Sequence, residues 1–140
     1  MKILFPADGS AFTKKALAFL VTHENMCGPE DELIVVNVQS PIPHRVQRMV
    51  GASTVRDYHD DEASKVLKPI ERFLSKHKLN FRASWVTGTA ATEIIKTATK
   101  EKAHMIVMGT HGHGLIGRAV LGSVAQRVLA EAHIPVLLVK

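Results

Sequence analysis

Leu33-Ile34-Val35-Val36-Asn37-Val38 carries five apolar side chains and one amide with no alternation between them. A strand with one wet face alternates apolar and polar residues. A continuous apolar run is what a strand needs when it is buried on both faces, as in a parallel sheet covered by helices. Upstream, residues 2–6 (KILFP) read as another such strand. Residues 13–26 read as a helix whose inward face is Ala16, Leu17, Leu20 and Val21, ended by Gly28-Pro29.

Downstream of the LIVVNV run, residues 39–54 hold two prolines, a glycine and no acid, and are expected to be an irregular, locally basic loop. A helix follows over 56–77, with Ala63, Val66, Ile70, Phe73 and Leu74 on one stripe. Pro69 has no N–H for the Lys65 carbonyl, so a kink or a helix start near Lys65 is expected. Residues 81–87 (FRASWVT) alternate like a strand. Thr89 is placed to cap a helix that reaches Lys102 with Ala91, Ile94, Ile95 and Ala98 inward. Residues 104–108 (HMIVM) give a fourth strand, and 134–139 (IPVLLV) a fifth. Between them Ser123 and Gln126 have the spacing of a capping box opening a helix over 123–132. The sum, β-α-β-α-β-α-β-α-β, is an α/β three-layer sandwich: a five-stranded parallel sheet with right-handed crossovers and helices on both faces.

A chain of 140 residues, 46% hydrophobic and 22% charged, has the balance of a single domain with one sizeable core. The run Ile3-Leu4-Phe5 is far shorter than a secretory or membrane-spanning segment, so no membrane association is expected and the cytoplasm is the default location. One cysteine, Cys27, fits a reducing compartment and excludes an intrachain disulfide. The net charge of +5 favours anionic partners in general. Many lysines, however, share helical patterns with acids, as in Glu93-Lys96-Lys100-Glu101, and the chain has one Trp and one Tyr to offer a stacking platform. Nucleic acid is therefore not the favoured partner.

The glycine-rich stretch from Gly109 to Ser123 admits several phosphate-binding readings. Gly112, Gly114 and Gly117 spell G-x-G-x-x-G, but that fingerprint belongs after the first strand with a helix opening inside it. Here it follows the fourth strand. A P-loop needs Lys and Ser or Thr where this chain has Arg118-Ala119. His111 and His113 could begin a metal site, yet no further ligand accompanies them. What remains is Gly109, Gly112 and the pair Gly122-Ser123. A glycine at the strand end lets backbone approach a ligand without a Cβ in its space, and a helix opening at Ser123, with Val124 and Ala125, offers unpaired N–H groups to an anion.

This spacing resembles the nucleotide-binding signature of the universal stress protein family, in its ATP-binding branch. The resemblance covers residues 1–140 as one domain of that family. It includes Pro6-Ala7-Asp8-Gly9-Ser10, Val36-Asn37-Val38, Met108-Gly109-Thr110-His111-Gly112 and Leu121 to Leu129. It implies an adenine nucleotide alpha hydrolase-like fold with strand order 3-2-1-4-5. A ligand would then sit at the switch point between strands 1 and 4. It further implies a nucleotide site built from Pro6, Ala7, Asp8, Val38, Met108, Gly109, His111, Gly112, Gly122, Ser123, Val124 and Ala125, in which Asp8 helps hold the nucleotide and the Val38 backbone meets adenine. ATP with Mg²⁺, or Mn²⁺, is the implied ligand, and AMP or another nucleotide could fill the same site.

Each residue also has a plainer role. Asp8-Gly9-Ser10 suits a turn into a capped helix, Val38 suits core, Ser123 suits a cap, and Arg118 and the loop histidines suit solvent. Nothing in the stretch is an evident general base, so no catalytic residue and no protein-built metal site is assigned. The leading function is a cytoplasmic ATP-binding stress or regulatory protein. A slow ATPase or phosphotransfer enzyme and a nucleotide-indifferent interaction module are the alternatives. Pro135 opening an apolar last strand suits a sheet edge, and the resemblance implies a homodimer through 134–139. The basic segment 39–55, with Arg45 and Arg48, is expected either to lie over the ligand or to be disordered.

Overall fold

The computed structural model describes residues 1–112 and 121–140. The strands are β1 (Lys2–Pro6), β2 (Glu32–Gln39), β3 (Phe81–Thr87), β4 (Met105–Gly109) and β5 (Val136–Val139), all parallel in the order β3-β2-β1-β4-β5. The helices are α1 (Ala11–Thr22), α2 (His44–Val50), α3 (Ala52–Lys76), α4 (Ala90–Lys100) and α5 (Ser123–Glu131).

The apolar run Leu33–Val38 lies in β2, whose residues from Leu33 to Asn37 are buried on both faces. Alternate residues enter separate cores. Leu33 and Val35 join Ile3, Phe5, Leu20 and Leu74 beneath α1 and α3, while Ile34 and Val36 join Leu4, Ile94, Ile106 and Val128 beneath α4 and α5. Burying a side chain of this size contributes roughly 1.5–3 kcal/mol, and two such layers hold β1, β2 and β4 in register.

Three local expectations need correction. Residues 44–50 and 52–55 are helical, not an irregular loop. Pro43 stands at the α2 N-cap position, where a missing N–H costs nothing, and Gly51, with φ 87°, separates α2 from α3. The breakers mark the ends of a short helix and leave its interior intact. Pro69 neither stops nor restarts α3, which runs through it as one element. Pro69 and Lys65 both lie on the exposed face, so water can serve the orphaned Lys65 carbonyl, while His59, Ala63, Leu67, Ile70 and Leu74 anchor the other side. The first helix is shifted, beginning at Ala11 and ending at Thr22.

Candidate functional site

Strands β1 and β4 are neighbours whose connecting chains leave toward opposite faces, so the sheet opens a crevice at their carboxyl ends. A cavity of about 440 Å³ fills it. Its lining includes all twelve residues expected from sequence: Pro6, Ala7 and Asp8 after β1, Val38 near the end of β2, Met108, Gly109, His111 and Gly112 along and after β4, and Gly122, Ser123, Val124 and Ala125 at the start of α5. Five further residues line it, Thr13, Val36, Ala90, Ile94 and Leu121. Sequence reasoning assigned Val36 and Ile94 only to the core, and their apolar spacing carries no sign that they also form a cavity wall. His113, Gly114, Gly117 and Arg118 lie outside the described residues.

The Asp8 turn is fixed from both flanks. One carboxylate oxygen, Oδ1, accepts from the Ser10 N–H at 2.9 Å and the Thr13 hydroxyl at 2.8 Å, and the Asp8 N–H donates to Thr13 Oγ1 at 3.3 Å. Gly9, with φ 79°, makes the bend, and Ser10 caps α1 by accepting from the Thr13 N–H. The turn and the site are thus one structure. Behind it, buried Asn37 donates from Nδ2 to the Ala7 carbonyl at 2.8 Å, and Gln39 Nε2 donates to Asn37 Oδ1. Asn37, the one buried amide in an apolar strand, was the signal that could have been read. A polar residue buried there needs a partner, and the rim of β1 supplies it.

The glycines permit close packing within the protein at the rim of the cavity. A Cβ on Gly109 would meet Phe12 Cβ at 2.6 Å, so this glycine lets α1 press on the end of β4. A Cβ on Gly112 would fall on Asp8 Oδ2, which brings the two turns into contact. At Gly122 it would lie 3.2 Å from His111 Cα and 3.3 Å from the Thr110 carbonyl oxygen, which accepts the Gly122 N–H at 2.7 Å. These contacts draw the ends of the 109–123 stretch together.

At α5 the capping box does not form. Gly122, with φ −71° and ψ 161°, is the N-cap, and Ser123 is the first helical residue, so its hydroxyl makes no cap bond. Gln126 donates from Nε2 to the Leu121 carbonyl oxygen instead, and its backbone N–H is the first to reach an acceptor in the preceding turn, Gly122 O at 3.0 Å. The N–H groups of Ser123, Val124 and Ala125 therefore have no intrahelical acceptor, and all three residues line the cavity. Together with the positive end of the helix dipole they make an anion-seeking rim. His111 completes that side, its ring centroid 4.9 Å from Phe12 and its Nδ1 3.0 Å from Thr110 Oγ1. Val36, Val38 and Ile94 give the cavity an apolar part. Among the described residues no group of three His, Cys, Asp or Glu side chains could hold a metal by itself.

Comparison with known proteins follows the same lines. The model of the universal stress protein family matches residues 1–140. A universal stress protein encoded beside a sulfhydrylase in Thermus aquaticus is 33% identical over 99% of this chain and 97% of its own length. Universal stress protein MJ0531 of Methanocaldococcus jannaschii is 32% identical over 99% of this chain and 81% of its own. Among solved structures, protein MJ0577 of the same archaeon superposes with a TM-score of 0.84 at 27% identity, covering 99% of this chain and 94% of that one. The Archaeoglobus fulgidus universal stress protein in complex with dAMP shares the fold with a TM-score of 0.67 at 22% identity, over 100% and 98% of the two chains. With sheet order, crevice and whole-length similarity in agreement, the chain belongs to the universal stress protein family.

Proposed function

We propose that this protein binds ATP with Mg²⁺, or Mn²⁺, in the crevice between β1 and β4 and acts as a cytoplasmic stress-response regulator whose occupancy is read by other chains. The observation that carries the reading is the mixed lining of one cavity, which holds apolar side chains together with helix N–H groups that lack an intrahelical acceptor. An adenine base suits Val36, Ile94 and the Val38 backbone, and a polyphosphate suits Gly109–Gly112 and Ser123–Ala125. Asp8 would hold the ribose or a metal ion. That ion would arrive on the phosphates, in keeping with Mg²⁺ sites made of one carboxylate plus substrate oxygens. The dAMP complex of a protein with this fold supports an adenine nucleotide.

The same reading makes the protein a homodimer through β5, an edge strand whose four residues are all partly exposed. Calorimetric titration with ATP and Mg²⁺ tests the binding. Saturable heat that weakens when the metal is chelated is expected, and neither heat nor thermal stabilisation at millimolar ligand would refute it.

A further inference from the structure

Six large apolar side chains stand exposed among the described residues, and four of them, Val46, Met49, Val50 and Tyr58, fall within one short stretch of chain. Met49 is 81% exposed. No residue of α2 is buried, and the first buried residue of α3 is His59. Residues 44–58 thus form an arm standing off the body, and an apolar cluster concentrated on a protruding element marks a contact surface.

The charges on the arm say what covers it. No acid occurs between Glu32 and Asp57, while Arg45, Arg48 and Arg56 lie on the arm and make no hydrogen bond or ion pair among the described residues. Acids then follow at once, at Asp57, Asp60, Asp61 and Glu62. Asp60 is engaged by the Trp85 indole N–H at 2.7 Å and Glu62 by Lys65 at 2.9 Å, whereas Asp57 and Asp61 are exposed and make no ion pair among the described residues. Basic and apolar residues are thus interleaved from Arg45 to Arg56, and the acids follow from Asp57 onward. A two-fold axis can set the basic, apolar part of one copy against the acidic part of the other, so that opposite charges face each other as an isologous contact requires.

We propose that the α2 arm and the first turns of α3 form a self-association surface for a second copy of this chain. It is separate from any pairing through β5, because α3 packs on β2 and β3 at the other edge of the sheet. The test is the mass of the full chain by sedimentation equilibrium across micromolar concentrations. One variant carries Arg45→Glu and Arg48→Glu, and a second carries Asp57→Lys and Asp61→Lys.

Each variant arm bears mostly one sign of charge and repels its own copy, so each variant is expected to sediment at half the wild-type mass. An equimolar mixture should regain the wild-type mass, because the two arms now attract each other. The variant mass itself separates this contact from β5 pairing: two chains if the β5 dimer forms, one if it does not. Unchanged mass in both variants, or a mixture that stays at half mass while circular dichroism shows native helix content, would overturn the proposal. Either result would leave the arm to a different, acidic partner.

Discussion

Gly112→Ala puts the proposed site under a small and well-placed load. The new Cβ falls on Asp8 Oδ2. The carboxylate cannot swing away freely, because Oδ1 is held by the Ser10 N–H at 2.9 Å and the Thr13 hydroxyl at 2.8 Å. Either the turn gives up bonds to a charged group, worth about 1.5–3 kcal/mol each, or the 109–112 segment moves outward and the spacing between the two turns is lost. Loss of one charge-assisted ligand contact of that size weakens ATP binding by roughly 10- to 150-fold, since each 1.4 kcal/mol is a factor of ten. Calorimetric titration of wild type, Gly112→Ala, Asp8→Ala and the double variant closes a thermodynamic cycle. If the methyl group acts through Asp8, it should cost little once the carboxylate is gone. Wild-type affinity in Gly112→Ala, or losses that simply add in the double variant, would refute the reasoning.

Three further outcomes are expected. Gly109→Ala drives a Cβ into Phe12 and the start of α1; overpacking of this kind costs about 1–3 kcal/mol, and an unchanged melting temperature would contradict the assigned contact. Asn37→Leu leaves the buried Ala7 carbonyl without its 2.8 Å donor, a loss of about 1–3 kcal/mol that denaturant unfolding reads directly; equal stability would mean the bond carries nothing. The Arg82 guanidinium holds the Glu101 carboxyl below the usual range, and the N-terminal ammonium does the same for Asp31. Because both folded-state values are depressed, their stabilisation is complete above the unfolded carboxylate range and is lost as pH falls through the folded values. Glu101→Gln should flatten the acid limb of a pH–stability curve, and an unaltered limb would count against the pair.

Much of the candidate site was legible because its parts are backbone features with strong residue requirements. Asp8-Gly9-Ser10 had to be a turn before a helix, and the glycines at 109, 112 and 122 had to permit close approach of something. What they approach was not legible. Phe12, Asp8 and the Thr110–His111 backbone fill the spaces beside them, and those partners lie between about ten and a hundred residues away along the chain. Ser123 was misread for a related reason. Ser-x-x-Gln fits a capping box on paper, but the chain enters α5 through an extended Gly122, which moves the serine one place into the helix. Residues 44–50 and 52–54 were misread as loop because proline and glycine look alike in sequence whether they border a short helix or disrupt it.

Periodicity and burial pattern by themselves determined the layered α/β architecture. A run such as Leu33–Val38 has no polar face to turn to water, and any chain carrying it must cover both sides. Tertiary structure alone decided which turns share a rim, how Asn37 braces Ala7, and that α2 stands clear of the body with its apolar side chains exposed. Local sequence fixes what each segment can bury or bond. The pairing of segments far apart in the chain is set only when the whole sheet closes and each buried polar group must find its partner.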